Sequence, residues 1–338
     1  MRALRYHGPK KPLRLEDVPT PDPGPGDVLV RVTAAGICHT ELHFLSGLLD
    51  LGIAPLTLGH EIVGRVEKTG PGVPTERAGE RVIVYYYVGC GTCAHCLAGE
   101  ENLCDAIRAE YGFVSDGGFA EFVRAPARNA VPLPASVSDA EAAPIGCGVT
   151  TAIHAARLAN VALGDWVVVY GVGAVGYGLV QVARLRGARV IAVGRTPEKL
   201  EHARTLGAEH TVQADEEDVA KRVRALTGGH GADVVFELVA TIDTMGASTA
   251  MLAKRGRLVF VGYSQDAFTV HPIQLVIGEQ IVTASVGNTL AELAQAVDLV
   301  ATGRVKTVVD RVLPLAKFEE GFAALRDGRL VGRAVLLP

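Results

Sequence analysis

The sequence predicts an α/β protein in which a doubly wound parallel sheet is joined to a second domain. Three observations carry that expectation. A glycine fingerprint lies between a buried-strand run and a helical run. Apolar strand-like segments then alternate with helical patterns through the second half of the chain. The length, 338 residues, suits about two domains.

In chain order, residues 28–33 (Val-Leu-Val-Arg-Val-Thr) alternate as a strand that leads into Cys38-His-Thr-Glu-Leu-His43. A second strand-like run, 62–66, follows Gly59-His60-Glu61. Residues 166–170 (Trp-Val-Val-Val-Tyr) are a buried-strand run, followed by Gly171-Val-Gly173-Ala-Val-Gly176. A helical stretch over 177–185 ends near Gly187, and 189–193 is the next apolar strand. Further strands are expected at 232–238, 257–262 and 281–286, with helices at 197–206, 216–226 and 243–253. Alternation with short links gives a parallel sheet.

Composition narrows the function. Hydrophobic residues at 49% and charged residues at 21% describe a globular chain rather than a disordered one. Against 33 Lys and Arg stand 37 Asp and Glu, and this negative balance excludes most non-specific nucleic-acid binding. No apolar run reaches the ~18–20 residues of a membrane helix. The N-terminal MRALRYHGPKKPLRLEDV has no apolar core behind its charges, so no signal peptide is expected. A cytoplasmic protein with neither nucleic-acid nor membrane partners is the resulting expectation.

Six cysteines fall at 38, 90, 93, 96, 104 and 147. Cys90, Cys93, Cys96 and Cys104 form a cluster whose two-residue gaps let neighbouring thiolates turn onto one ion. Four thiolates fill a tetrahedral shell and leave no place for water, which describes a structural zinc. His95 is surplus to that shell. Cys38 and Cys147 stand apart, and a lone buried cysteine is usually only a small hydrophobe. Cys38, however, opens a Cys-His-Thr-Glu motif, and His60-Glu61 heads a strand. Two Cys and one His would make three ligands and leave the fourth position open, the mark of a catalytic zinc.

Strand, G-x-G-x-x-G, helix and strand within about 30 residues is a dinucleotide site. Gly171 allows the turn, Gly173 lets the backbone approach a pyrophosphate, and Gly176 lets the helix pack on the strand. At the end of the second strand, Gly194 and Arg195 stand where an NAD site places a carboxylate. The group that would repel a 2′-phosphate is absent and a guanidinium is adjacent, so NADP is expected over NAD.

With both cysteine patterns and the fingerprint in order, the chain resembles the zinc-dependent medium-chain alcohol dehydrogenases. The resemblance spans essentially the whole chain. It rests on GICHTELH at 36–43, LGHEIVG at 58–64, GCGTCAHCLAGEENLC at 89–104 and GVGAVG at 171–176. Two Cys and one His is the ligand set known for the catalytic zinc of these very enzymes. The resemblance implies a GroES-like, β-rich catalytic domain over 1–147 and 287–338, a Rossmann coenzyme domain over 148–286, and an active site in the cleft between them.

Position by position, the resemblance implies that Cys38, His60 and Cys147 ligate the catalytic zinc, with Glu61 just behind it. Glu41, where the family usually has Asp, would hold the ring of His60. Thr40 would touch the substrate oxygen, and His43 would be the solvent end of a proton relay. His39 and Arg333 would meet the cofactor pyrophosphate. Thr151 and Val175 would press on the nicotinamide, and Val261 belongs with the cofactor contacts. Tyr86 and Tyr87 stand where relatives line the substrate channel. The implied activity is hydride transfer between an alcohol and an aldehyde or ketone, with two zincs per chain, one catalytic and one structural. A tetramer or dimer is expected, by analogy with the family. The alternatives are a polyol, amino-alcohol or hydroxyacyl-CoA dehydrogenase, and a non-catalytic zinc and nucleotide binder. Cys147, where polyol enzymes often have Glu, favours simple alcohols.

Overall fold

A computed structural model describes residues 1–338. The chain divides into two compact units, Met1–Cys147 with Asn288–Pro338, and Gly148–Gly287. No helix is long and apolar enough to cross a membrane.

The first unit is β-rich. Its axis is the strand Asp27–Ile37, whose alternating apolar residues are buried on one side and whose C-terminal half is buried on both. It pairs antiparallel with Glu61–Thr69, placing Gly36 opposite Glu61. The other side of its C-terminal half takes the last strand, Arg333–Leu337, with Ala334 opposite Ile37. Three segments distant in sequence therefore meet at the Ile37 end. The chain then turns into the helix His39–Ser46, capped by Cys38 and closed by Gly47 in the left-handed region at φ +85°. A separate two-stranded ladder sets Tyr87 opposite Glu110.

The second unit is a six-stranded, all-parallel sheet. Its order is His210–Gln213, Arg189–Gly194, Trp166–Tyr170, Ala232–Glu237, Leu252–Phe260, Ile281–Ala284. In sequence order this is 3-2-1-4-5-6, the doubly wound Rossmann arrangement. Val168, Ile191, Val212, Val235 and Leu258 from five adjacent strands share one buried cluster.

The expected elements are present with shifted ends: the strand expected over 257–262 runs Leu252–Phe260, and that over 281–286 ends at Ala284. The helix expected over 243–253 is Ile242–Met251, because Leu252 turns extended and pairs with Ala232. The helix expected from 216 starts at Val219, after Asp218 accepts the Lys221 N–H as its cap. The strand His210–Gln213 was not expected from the pattern. It is a four-residue edge strand carrying His, Thr and Gln, too short and polar to show a period of two.

Candidate metal and nucleotide sites

The ligand atoms of Cys38, His60, Glu61 and Cys147 all lie within 4.8 Å of one another. Strand pairing places them. Cys38 ends the axial strand, His60 precedes the strand that begins with Glu61, and Cys147 follows the turn Ala143–Gly146, which packs against Glu61. All four are buried.

Glu41 organises the two nearest ligands. Its Oε1 lies 2.9 Å from His60 Nδ1, and its Oε2 accepts the Cys38 N–H at 2.7 Å. One carboxylate thus orients the imidazole and caps the helix, so Glu in place of the usual Asp reaches both partners. Burial opposes a charge on His60, but Glu41 and Cys38 outweigh it and hold the imidazole well above its usual range. A hydrogen bond from Cys147, with Arg333 and His60 nearby, holds the Cys38 thiol well below its ordinary range despite burial. Thr40 Oγ1 lies 3.6 Å from Cys38 Sγ.

Glu61 is fully buried, and that burial pushes its carboxyl up to about 7. Arg333, itself buried, donates from Nη2 to Glu61 Oε1 at 2.6 Å. The residue expected at a phosphate is thus also the counter-ion of Glu61. Glu61 Oε2 has no hydrogen-bond partner. Two thiols, an imidazole whose far nitrogen is held, and an open carboxylate oxygen in one buried cluster fit a zinc ion.

Cys90, Cys93, Cys96 and Cys104 form a second cluster, also within 4.8 Å. The Cys90–Cys96 and Cys93–Cys104 sulfurs are 3.9 Å apart, and all four thiols are free. Zinc–sulfur bonds of ~2.3 Å in a tetrahedron set sulfurs ~3.8 Å apart, so the spacing fits a closed zinc shell and is far beyond a disulfide bond. Backbone N–H groups of Cys90, Cys93 and Cys96 point at cluster sulfurs. His95 stands outside the cluster and meets Glu100 at 3.2 Å.

Around His60 the structure gathers Tyr86 and Tyr87, both expected at the substrate channel, with Phe113 and Glu110, which the sequence did not single out. The rings of Tyr86 and Phe113 lie 5.3 and 5.1 Å from the imidazole, and 5.9 Å from each other at 19°. Tyr87 is 4.3 Å from Tyr86. Glu110 shares this region, and burial pushes its carboxyl up to about 7 against the pull of His60. Phe113 lies in a turn and Glu110 ends the two-residue strand Ala109–Glu110; neither belongs to a motif, so nothing local marked them. His39 is exposed, and its ring lies 5.1 Å from that of half-buried His43. Burial, and then His39, hold the His43 imidazole below its usual range.

In the second unit, Gly171 has φ +112°, a backbone that L side chains rarely adopt. Gly173 caps the helix Ala174–Leu185, and a Cβ there would meet nothing within 4 Å. A Cβ on Gly176 would collide with the Gly171 carbonyl. A glycine turn with open space at a helix N-terminus fits a pyrophosphate. Val175 is half-buried on that helix, and Thr151 is buried on the helix Gly148–Leu158 that packs against it. Val261 donates its N–H to the Glu237 carbonyl.

Gly194 ends the second strand, where a Cβ would stand 2.6 Å from Val172 Cγ2. A side chain at 194 would therefore have to displace Val172. Arg195 beside it is exposed. The expected site residues divide between the units: the metal ligands, Thr40, His43, His39 and Arg333 in the first, and the remaining cofactor contacts in the second.

Comparison with known proteins adds an independent finding. Residues 24–135 match the family model for the alcohol dehydrogenase GroES-like domain, and 174–302 match that for zinc-binding dehydrogenases. An alcohol dehydrogenase of Geobacillus stearothermophilus is 36% identical over 99% of both chains. An NAD-dependent alcohol dehydrogenase of Sulfurisphaera tokodaii is 35% identical over 100% of both. The solved structure of an alcohol dehydrogenase from Aeropyrum pernix superposes with a TM-score of 0.94, at 36% identity and full coverage of both chains.

Proposed function

The chain belongs to the zinc-dependent medium-chain alcohol dehydrogenase family, and from that premise we propose that it moves a hydride between a small alcohol and NADP. The observation that carries the enzyme class is the buried Cys38–His60–Cys147 donor set with Glu41 on His60.

On this reading Cys38, His60 and Cys147 hold the catalytic zinc, and Cys90, Cys93, Cys96 and Cys104 hold the structural one. A zinc held there would supply a Lewis acid that lowers the pKa of a substrate hydroxyl. The protein's own residues then manage the proton and the orientation. Glu41 fixes the His60 ring so that its other nitrogen faces the donor cluster. Thr40, beside the Cys38 sulfur, is the hydroxyl that takes the substrate proton. His43, kept below its usual pKa, is neutral near pH 7 and able to receive that proton. Glu61 and Arg333 neutralise each other beside the donor cluster. Tyr86 and Phe113 offer apolar ring faces next to His60, which suits an alkyl or aryl group on the alcohol.

The preference for NADP rests on Gly194 and Arg195. Crowding by Val172 supports it, since a ribose-binding carboxylate at 194 would have to displace that side chain. The chain is proposed to form homo-oligomers through the outer edge of the parallel sheet. Ile281–Ala284 has no neighbour on that side, and Ile281 is 54% exposed. The adjacent helix Pro272–Gly278 exposes Val276 at 73% and Ile277 at 70%.

Steady-state rates with NADP and NAD, on benzyl alcohol and aliphatic alcohols, test the proposal when zinc is measured by mass spectrometry. Turnover with about two zincs per chain and NADP preferred is expected. Turnover with NAD preferred keeps the enzyme class and removes the cofactor preference.

A further inference from the structure

We propose that Glu237 is a positioning residue for the dinucleotide, a buried carboxylate that sets the loop 238–241 against the glycine turn. The inference rests on the dinucleotide reading of the second unit.

Topology gives the location. Trp166–Tyr170 and Ala232–Glu237 are neighbouring central strands with Tyr170 opposite Glu237. The chain winds outward from them in opposite directions, so their carboxyl ends flank the switch point at which open α/β sheets take their ligands. Gly171 stands at one of these ends and Glu237-Leu238 at the other. A Cβ on Gly171 would meet Leu238 Cβ and Val239 Cγ2, each at 3.2 Å. The loop is therefore the wall beside the phosphate turn.

The Glu237 carboxylate builds that wall. It is fully buried and pairs with no cation. Its Oε1 accepts the N–H groups of Val239 at 2.8 Å and Ala240 at 2.9 Å, and the Thr244 hydroxyl at 3.3 Å. Its Oε2 accepts the Ser248 hydroxyl at 2.7 Å. Ala240 is held at φ +59°, a conformation that alanine adopts only when its surroundings impose it. The Glu237 carbonyl also accepts the N–H groups of Val261 and Gly262, tying in the end of the next strand.

Helix capping does not account for this arrangement. The helix Ile242–Met251 has its own N-cap, Thr241, which accepts the Thr244 N–H and takes part in a reciprocal capping box. Burying an unpaired carboxylate is unfavourable unless its donors are fixed. Here the fixed donors are the backbone of the loop beside Gly171.

The test is fluorescence titration of the zinc-loaded enzyme with NADPH and with NADH. Wild type is compared with Glu237→Gln, Glu237→Ala and Val223→Ala, the last a core truncation in the same unit, on the helix Val219–Leu226. Glu237→Gln is expected to bind within threefold of wild type, since its amide oxygen still accepts both loop N–H groups. Glu237→Ala is expected to weaken both cofactors at least tenfold and to speed hydrogen exchange at 238–241. If Glu237→Ala is not recovered folded, Glu237→Asp replaces it. That variant keeps the charge but is one methylene short, and it is expected to bind more weakly than Glu237→Gln. Glu237→Ala binding within twofold of wild type overturns the proposal, as does an equal loss in Val223→Ala, or Asp binding as well as Gln. Wild type that binds neither nucleotide overturns the dinucleotide reading itself, and this inference with it.

Discussion

The Glu61 carboxylate occupies the space above Gly36: a Cβ on Gly36 would overlap Glu61 Oε2 and stand 2.9 Å from its Cδ. The two residues are opposed across the axial strand pair, so the absent side chain is what admits the carboxylate. Gly36→Ala is expected to expel Glu61 and break its bond to Arg333. Overpacking of this kind costs ~1–3 kcal/mol, and leaving Arg333 buried without its partner adds to it. A fall in melting temperature together with at least tenfold lower kcat/KM is the expected result. Wild-type values for both would show that Glu61 has another place to go.

Glu41→Ala is expected to lower the affinity of the catalytic site for zinc. It frees the His60 ring and removes the cap on Cys38 N–H. Loss of such an outer partner reduces metal affinity by roughly 10–100-fold. Competition with a chelator reads this directly: one zinc per chain should leave early while the four-cysteine zinc stays. Simultaneous loss of both would tie Glu41 to folding rather than to the site.

Cofactor choice separates two residues. Arg195→Leu is expected to raise KM for NADP about tenfold and leave KM for NAD nearly unchanged, as befits loss of a charge-assisted hydrogen bond. Gly194→Asp alone is expected to impair both cofactors, because Val172 stands in the way. Gly194→Asp with Val172→Ala makes room and is expected to favour NAD. Ratios of kcat/KM for the two cofactors decide each case.

Glu110 gives a pH signature. Its carboxyl is pushed from an ordinary 4.5 up to about 7 by burial. The folded state therefore binds the proton more tightly than the unfolded chain. The stability contributed by that proton is complete below the unfolded pKa and is lost as pH rises through about 7. Partial exposure limits the effect to ~2 kcal/mol. Glu110→Gln should melt about 2–4 °C higher than wild type at pH 8 and close to it at pH 4.5. An equal shift at both values would exclude the titration as its cause.

Val276→Asp is expected to disrupt assembly. It places a charge on the exposed apolar face of Pro272–Gly278, beside the unpaired edge strand. Native mass spectrometry should show smaller species than the wild-type oligomer, with zinc content unchanged. A monomeric wild type would remove the proposed interface.

Much of the molecule is legible in one dimension, and the reason is locality. The four-cysteine cluster lies within 15 residues, so its spacing alone implies a shared ion. The phosphate turn is written between one strand and one helix, each with its own period. Strands 166–170 and 189–193 were read to within a residue because both are apolar throughout. The polar edge strand His210–Gln213 escaped, since an edge needs no such pattern.

The sequence by itself determined the two-domain α/β class, the donor types, the glycine turn and the absence of a carboxylate at 194. Each is a property of neighbouring residues or of composition. Only the tertiary structure decided that Arg333 meets Glu61, 272 residues away, that Gly36 makes room for that carboxylate, and that Phe113 and Glu110 stand near His60. It alone showed that Val172 closes the space at Gly194 and that Glu237 holds the loop beside Gly171. These relationships depend on strand register and on side chains crossing between segments. Neither leaves a period or a spacing along the chain, because both arise only when separate hydrophobic faces are brought into one core.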